Sequence, residues 1–422
     1  MIFILTLIQN TWALSIPLFT NPVMLSSLVG IAFIFMYKIW AKWSRLPTSE
    51  NITHSVGFES AKGKHKREVI NRLQKQRDLG PIPPPYPNGW FILLGSEQLK
   101  KGTPTEVSVL GLHLLAWRGK SGQAYVTDEY SLHWGPDPYV ERTVNKSKCL
   151  AYPIYRWQLH GRDGSFFEIP YSNAEVLEVS AKVHMHTIRE RNGFIYLWHH
   201  AENQEPQWFP REHEKILSGQ WTACHCHEMT IGAHIQDVRE NLADVNHFNV
   251  VHAAGMFEGS LNFFSFKYQG KWTIMKDGIT LKRNHMTSSI VHAVLMLFGK
   301  FSFLKSTLEF VEEGPGLSEL HLEIWFIKAI LFIHVTPLEA MTQRIVFQLY
   351  TSEWIPSLIT RLLFLNSLNM VYRDAAIWNR KTYVKLPIIP KEDTSVKTFR
   401  LWFAQFYSEN SPRAESKDSL VF

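Results

Sequence analysis

The chain has 422 residues, 45% of them hydrophobic, which is enough for two or three domains of ordinary size. Its net charge of +6 comes without a basic stripe interleaved with aromatic side chains, so the composition does not indicate a nucleic-acid-binding protein. The three cysteines exclude a disulfide framework, because Cys224 and Cys226 are too close in sequence to pair comfortably. We therefore expect a reducing compartment.

The N-terminal segment is apolar enough to predict a membrane anchor. No charged side chain occurs before Lys38, and residues 20–40 can supply the roughly 20 apolar residues of a membrane-spanning helix. Lys38, Lys42 and Arg45 follow this segment closely, which by the positive-inside rule places the rest of the chain in the cytosol. The sequence thus predicts a single-pass anchor over residues 1–44.

The rest of the chain divides by composition. Residues 45–85 are polar and then proline-rich, which predicts a linker. Short β-branched and aromatic runs over residues 86–205 predict an all-β domain. Residues 206–395 mix strands with helical segments, including a long helix near residues 354–383, and residues 396–422 are predicted to be a loose tail. The predicted fold class is α+β, with the strands of the second domain wrapped around one long helix in a helix-grip-like arrangement.

The string "ENLADVNHFNVVH", residues 240–252, carries a candidate metal site. Asp244 and His247 lie three residues apart, on one face of a predicted helix. His252 lies five residues beyond His247, and an ideal helix would turn it away by roughly 140°. Both imidazoles can meet one ion only if the helix ends or bulges between them. Two histidines with a distant carboxylate are the ligands of non-haem ferrous oxygenases, although such a pair also occurs by chance among 19 histidines.

Six strings between residues 86 and 383 carry a family resemblance. They are "YPNGWFILLGSEQLKKGTPTEVSVLG", "LAWRGKSGQAYVTDEY", "GRDGSFFEIPY", "ENLADVNHFNVVH", "HVTPLEAMTQRIVFQLYTS" and "RDAAIWNRK". The sequence resembles the Rieske-type oxygenases and, within them, the cholesterol 7-desaturases of the Neverland type. The resemblance implies a Rieske-like domain over residues 86–205 and a sterol-binding catalytic domain with mononuclear iron over residues 206–395.

The resemblance also assigns roles to individual residues. His247 and His252 would be the histidine ligands of a mononuclear Fe²⁺ ion, and Asp374 in "RDAAIW" would be its carboxylate ligand. Asp244 would be the catalytic carboxylate through which an electron arrives from a neighbouring subunit's cluster. The structural alternatives are a solvated or capping role for Asp374 and, for Asp244, a role in orienting a histidine.

A second ligand set of the family is largely absent. A Rieske 2Fe–2S cluster is held by two cysteines and two histidines, in the pattern Cys-x-His and Cys-x-x-His. The corresponding positions here are Ser131, His133, Tyr152 and Tyr155, and only His133 matches. A serine hydroxyl ionises too reluctantly to replace a thiolate, and a phenol has a pKa of about 10. We therefore predict that the cluster expected of the family is not bound by this chain.

The resemblance implies a function and several partners. The reaction would be the O₂- and NAD(P)H-dependent 7,8-dehydrogenation of cholesterol to 7-dehydrocholesterol, with electrons from a separate reductase. Family members work as trimers in which one subunit's cluster serves the next subunit's iron. The predicted location is the endoplasmic reticulum membrane, and the predicted defect is impaired electron delivery. Two alternatives stay open, a non-catalytic sterol-binding or regulatory protein and a chain that works in a mixed trimer with an intact relative.

The string "CHCH" over residues 224–227 is a weaker candidate for a metal site. Adjacent side chains of a strand point to opposite faces, and no second ligand pair lies close in sequence. We therefore predict ordinary core and surface positions on a strand rather than a zinc site.

Overall fold

The computed structural model describes residue 30 and residues 82–413, apart from residues 120, 130–142, 146–148, 152–157, 169–181, 256–262, 276–284, 382–383, 385–387, 389 and 391–392. All of these residues except residue 30 belong to one compact unit, residues 51–422. Within the described part, no helix is both long and apolar enough to cross a membrane. The predicted anchor over residues 1–44 lies almost wholly outside it and stays a prediction.

The described residues contain strands throughout and helices mainly in the second half. The strands are β1 (Gly89–Gly95), β2 (Thr105–Val109), β3 (Leu112–Arg118), β4 (Ala124–Asp128), β5 (Thr143–Asn145), β6 (Cys149–Ala151), β7 (Gln158–His160), β8 (Phe166–Glu168), β9 (Ile188–Arg191), β10 (Phe194–His199), β11 (Trp221–Ile231), β12 (Phe264–Ile274), β13 (Met286–Leu297), β14 (Phe301–Glu313), β15 (Leu317–Ile324), β16 (Ile327–Glu339) and β17 (Thr342–Ser352). The helices are α1 (Glu214–Leu217), α2 (Ile235–Glu240), α3 (His247–Val251), α4 (Ser357–Trp378) and α5 (Thr394–Phe403).

Strands β1 to β10 form three small sheets, in the orders β1-β10-β9, β2-β3-β4 and β5-β6-β7-β8. Strand β1 is apolar along its whole length and buried on both faces, which suits a strand covered by other layers. It is fixed to the second half of the chain by side chains, because Thr336 donates to the carbonyl of Ile92 at 3.0 Å and Arg344 to that of Leu93 at 2.7 Å.

One antiparallel sheet of seven strands, in the order β11-β17-β16-β15-β14-β13-β12, dominates the second half. Helix α4 lies against strand β11, since His225 contacts Thr360 at 3.0 Å and His227 contacts Tyr372 at 2.8 Å. Pro356 immediately precedes the helix, a position where its fixed φ and missing N–H are tolerated. The predicted long helix is thus confirmed with narrower bounds, and so is a mixed α and β fold.

The predicted helical face shared by Asp244 and His247 is wrong. Helices α2 and α3 are separated by turns, and Asp244 lies in this connection rather than on a helical face shared with His247. Its Oδ1 atom accepts the backbone N–H of His247 at 3.3 Å. Short polar side chains compete in this way with helical hydrogen bonds, and they favour a turn followed by a new helix.

The start of the predicted tail is part of the fold. Residues 394–403 form helix α5, and its apolar side chains Phe399, Trp402 and Phe403 are buried. Arg400 of this helix forms an ion pair with Glu240 at the end of helix α2, with an Nη2–Oε1 distance of 3.0 Å. The loose tail predicted over residues 396–422 can therefore begin only after residue 403.

Candidate metal centre

The two histidines of the motif face each other because helix α3 stops between them. The helix ends at Val251, and His252 has φ −111° and ψ 3°, outside the helical region. The chain therefore leaves the helical path before His252, which cancels the rotation that a continuous helix would impose. The helix thus ends between His247 and His252, as the sequence analysis requires if both imidazoles are to bind one ion.

The nitrogen atoms of these histidines converge with one carboxylate oxygen. The Nε2 atoms of His247 and His252 are 3.2 Å apart, and Asp374 Oδ1 lies 3.2 Å from His252 Nε2 and 4.0 Å from His247 Nε2. Ligands at about 2.0–2.2 Å from one metal ion stand about 3 Å from each other when they occupy adjacent positions. The spacing fits three ligands on one face of an ion.

The protonation pattern suits a metal as well. His247 Nδ1 faces the carbonyl of Asp244, so it carries the proton and leaves the Nε2 lone pair toward the site. Burial lowers the pKa of His247, although the nearby carboxylate of Asp374 opposes this shift, and the neutral imidazole is the form that binds metal. Asp374 is only 6% exposed, and its Oδ1 accepts no hydrogen bond from the described residues. A buried carboxylate in this state is costly unless a cation offsets it.

The surrounding elements hold helix α3 in place. The Asn249 side chain exchanges two hydrogen bonds of 2.8 Å with the backbone of Tyr268 on strand β12. Arg373, the residue before Asp374, donates to the carbonyls of Val251 and Gly255, which ties the end of helix α3 to helix α4. Phe248 is buried beside both histidine rings, at centroid distances of 4.3 Å and 5.4 Å. The three ligand side chains are thus positioned by packing on a strand and on a long helix.

The three ligand atoms lie in an apolar cleft between the seven-stranded sheet and helix α4. Its cavity volume is about 100 Å³, below the range of about 300–1,000 Å³ that is usual for small-molecule sites, so a large ligand requires the cleft to widen. The lining is mainly aliphatic and aromatic: Val238, Leu242, Phe248, Leu308, Phe310, Leu320, Leu322, Ile333, Val335, Ile345, Met370, Val371 and Trp378. Such a surface suits a large apolar ligand with few polar groups.

Two serines of the cleft already have hydrogen-bond partners. Ser367 donates to the Leu363 carbonyl at 3.0 Å, and Ser318 accepts from Arg239 at 2.7 Å. Asn366 differs, because its buried Oδ1 accepts no hydrogen bond from the described residues. Among the residues that the structure describes, its Nδ2 has only the Met370 sulfur as a partner, at 3.9 Å. This amide can both donate to and accept from a ligand hydroxyl, whichever way round its two atoms are assigned.

The structure brings together three of the residues predicted from sequence, His247, His252 and Asp374. Asp244 contacts His247 twice, because its backbone carbonyl faces Nδ1 and its Oδ1 accepts the backbone N–H, which is the histidine-orienting alternative. The electron-transfer role stays a prediction. The four predicted cluster positions, Ser131, His133, Tyr152 and Tyr155, lie outside the described residues.

Two residues of the site were missed by sequence reasoning. Asn241, whose Nδ2 lies 3.1 Å from His247 Nε2, belongs to the motif string but was given no role. Asn366 has no local signal at all, because only the path of helix α4 places it in the cleft. The "CHCH" string lies on strand β11, where Cys224 and Cys226 are exposed and their neighbouring histidines contact helix α4.

Comparisons with known proteins show similar sequences over most of the chain. The family of the 3-ketosteroid 9alpha-hydroxylase C-terminal domain matches residues 197–407. The chain is 33% identical to cholesterol 7-desaturase nvd of Drosophila melanogaster, over 97% of this chain and 96% of that protein. It is 30% identical to cholesterol 7-desaturase of Caenorhabditis elegans, over 98% of this chain and 97% of that protein.

Solved structures share the fold. The crystal structure of dicamba monooxygenase bound to dicamba aligns with a TM-score of 0.59 at 13% identity, covering 76% of this chain and 96% of that one. The terminal oxygenase of carbazole 1,9a-dioxygenase from Novosphingobium sp. KA1 aligns with a TM-score of 0.52 at 14% identity, over 81% and 100% of the two chains. At this identity the likeness shows the fold alone.

Proposed function

The chain belongs to the cholesterol 7-desaturase family of Rieske-type oxygenases, and on this premise we propose that it is a sterol oxygenase whose reaction centre is the cluster of His247, His252 and Asp374. The observation that carries the proposal is the position of this cluster within an apolar cleft. Two imidazoles and one carboxylate leave open positions on a ferrous ion. Such an ion, when bound, supplies the chemistry of O₂ activation.

The chain's own residues would bind and position the sterol. The aliphatic and aromatic walls exclude water and match a rigid apolar ring system. We infer that the sterol hydroxyl binds Asn366, the cleft side chain whose Oδ1 lacks a partner among the described residues. Asn366 precedes Asp374 by eight residues on helix α4, which corresponds to about 12 Å. A hydroxyl held at Asn366 would therefore leave the middle of the sterol beside the three ligand side chains.

The finer proposal is the 7,8-dehydrogenation of cholesterol. The sterol loses two hydrogens as the new double bond forms, NAD(P)H supplies two further electrons through a separate reductase, and O₂ accepts all four electrons and leaves as two molecules of water. The names of the relatives support this reaction. The predicted membrane location, in the endoplasmic reticulum, belongs to the same proposal.

We further propose that this chain is impaired in delivering electrons to its own iron. The support is the sequence, in which Ser131, Tyr152 and Tyr155 stand where cluster ligands are expected. A subunit of this kind could still turn over sterol inside a mixed trimer, if an intact relative lends its cluster. The second candidate function, sterol binding without catalysis, is favoured by the same three residues.

Co-expression with an intact relative tests the proposal. Mixed oligomers would be purified through a tag on this chain and supplied with cholesterol, NADPH and the reductase. The relative would carry an alanine at its own iron-ligand histidine, so that only this chain's centre can react. We expect 7-dehydrocholesterol from the mixed oligomer and none when His247→Ala is added. Sterol binding without product in every mixture would support the non-catalytic alternative, and no sterol binding would contradict both.

A further inference from the structure

Eight large apolar side chains are exposed at one end of the seven-stranded sheet. Their exposed fractions are Phe263 39%, Phe298 65%, Phe301 66%, Phe303 70%, Trp325 70%, Phe326 65%, Trp354 60% and Leu358 57%. We call this set the aromatic rim. Some of its rings contact each other without being buried, such as Phe326 and Trp354 at a centroid distance of 5.8 Å. Exposed apolar groups clustered in this way mark an interaction surface.

The strand pairing places these residues at the same end. At the start of strand β12, Phe264 pairs with Leu297, so Phe263 lies beside the turn between β13 and β14. Ser306 pairs with Ile324, which puts the turn containing Trp325 and Phe326 at this end as well. Strands β16 and β17 pair through Ala329 and Thr351, which brings Trp354 to the same end.

The hairpin of β13 and β14, with strand β12 paired along β13, projects beyond strand β15. It continues from Ser306, the last residue paired with β15, to Phe301, five residues further, or about 17 Å at the rise of an extended strand. Phe298, Phe301 and Phe303 therefore lie on a three-stranded projection formed by β12, β13 and β14. This shape differs from the flat, continuous patch that is usual between two protein subunits.

The charges near the rim are mainly basic. Of the described residues at this end, Lys300, Lys305, Lys328 and Arg361 are exposed, against the acidic residues Glu323 and Glu353. Glu323 is paired with Lys328 at 3.0 Å, which leaves an excess of positive charge around the hairpin. Lysine is depleted in protein–protein interfaces, whereas basic residues beside exposed aromatic rings favour an anionic membrane surface.

The rim is continuous with the candidate iron centre through helix α4. Leu358 lies in the first turn of this helix, Asn366 follows about 12 Å further along and Asp374 about 24 Å further along. Leu308 and Leu322, which line the cleft, lie on strands β14 and β15 near the rim end. A ligand taken up at the rim would therefore move along the helix toward the three ligand side chains.

We propose that the aromatic rim inserts into the surface of an anionic lipid bilayer and that the sterol passes from the bilayer into the cleft at this end of helix α4. The contact is separate from the predicted anchor over residues 1–44 and sets the orientation of the domain on the membrane. The second half of this inference rests on the proposed sterol function, whereas the insertion itself does not.

Insertion is tested with single-cysteine labelling of the full chain in liposomes of phosphatidylcholine and phosphatidylserine. A polarity-sensitive fluorophore would be attached at Phe301→Cys, or at Glu339→Cys at the opposite end of the sheet, in a chain whose three cysteines are serines. We expect only the label at position 301 to shift to the blue and to be quenched by bromine on the lipid acyl chains. Equal, water-like emission from both labels would overturn the proposal. A blue shift without quenching would also overturn it, and would indicate a second copy of the chain on the rim.

Sterol transfer is measured with native cysteines, so it does not depend on the labelled chain. The change of Phe298, Phe301 and Phe303 to serine should slow sterol uptake from these liposomes about 5-fold or more, because apolar insertion is lost. Uptake from a cyclodextrin complex should stay within about 2-fold, since the cleft is unchanged. Leu401→Ser, at a residue of helix α5 that is 71% exposed, is the matched control. Equal loss from both sources would contradict the role of the rim, whereas failure of the unaltered chain to bind sterol from cyclodextrin would contradict the proposed function.

Discussion

The candidate iron centre and the predicted Rieske ligand segments of this chain differ in how many of the expected ligand residues they contain. The first keeps every expected ligand, with His247, His252 and Asp374 brought within 4.8 Å of one another. The second, within residues 131–155, keeps one ligand residue of four. The proposed function therefore treats metal binding and electron supply as separate tasks, and the structure brings together the residues predicted for the first.

The largest effect is expected from restoring the second ligand set. The change of Ser131 and Tyr152 to cysteine and of Tyr155 to histidine, together with native His133, recreates the two-cysteine, two-histidine pattern. We expect about two additional irons, labile sulfide and visible iron–sulfur absorption. Adding His133→Ala should abolish the signal. A restored chain that assembles no cluster would show that the segment has lost more than its ligands.

Removing one ligand of the first set should nearly abolish iron binding. His252→Ala leaves one imidazole and one carboxylate, and we expect Fe²⁺ affinity to fall about 100-fold or more, as measured by metal titration of the purified protein. His225→Ala is the control, because His225 contacts Thr360 on the other side of strand β11 from the exposed cysteines and is not a ligand. Unchanged iron content in His252→Ala would place the metal elsewhere.

The stability of the iron-binding half should depend on its own buried acid. Burial raises the pKa of Glu313 from 4.5 to about 7. Because the folded state favours the protonated form, this residue stabilises the fold fully below pH 4.5, and the stabilisation is lost as pH rises through 7. The loss amounts to about 3 kcal/mol of unfolding free energy, and Glu313→Gln should remove it. Urea unfolding at pH 5, 7 and 8 measures the unfolding free energy of both proteins. If this free energy falls with pH as steeply in the variant as in the unaltered chain, Glu313 is not the group responsible.

A smaller change is expected at the polar group of the cleft. Asn366→Leu removes the amide proposed to bind the sterol hydroxyl, and we expect cholesterol to bind about 10-fold more weakly. Cholest-5-ene, which lacks the hydroxyl, should bind the variant and the unaltered chain alike. Ser367→Ala is the neighbouring control, because Ser367 already donates to Leu363. If Asn366→Leu keeps the preference for cholesterol, the hydroxyl binds elsewhere.

The sequence predicts part of this site for clear physical reasons. The spacing of His247 and His252 requires a helix end between them, and helix α3 does end at Val251. The long helix around Asp374 is also predicted from the sequence, and the structure confirms it over Ser357–Trp378. Asn366 could not be found in this way, because its importance comes from which face of helix α4 lines the cleft.

The aromatic rim also could not be predicted from the sequence. Its members are scattered from residue 263 to residue 358, and each one taken alone is an unremarkable exposed side chain. Only the register of strands β12 to β17 brings them to one end of the sheet. The break between helices α2 and α3 was missed for a related reason, since the capping contact of Asp244 competes with an apparently helical pattern.

The iron and acid-labile sulfide content of the purified full-length protein tests the difference between the two regions most directly. About one iron per chain without labile sulfide is expected, since one ligand set is complete and the other keeps a single residue. Three irons with two sulfides per chain would contradict the proposed loss of the cluster, and a chain without iron would contradict the candidate centre.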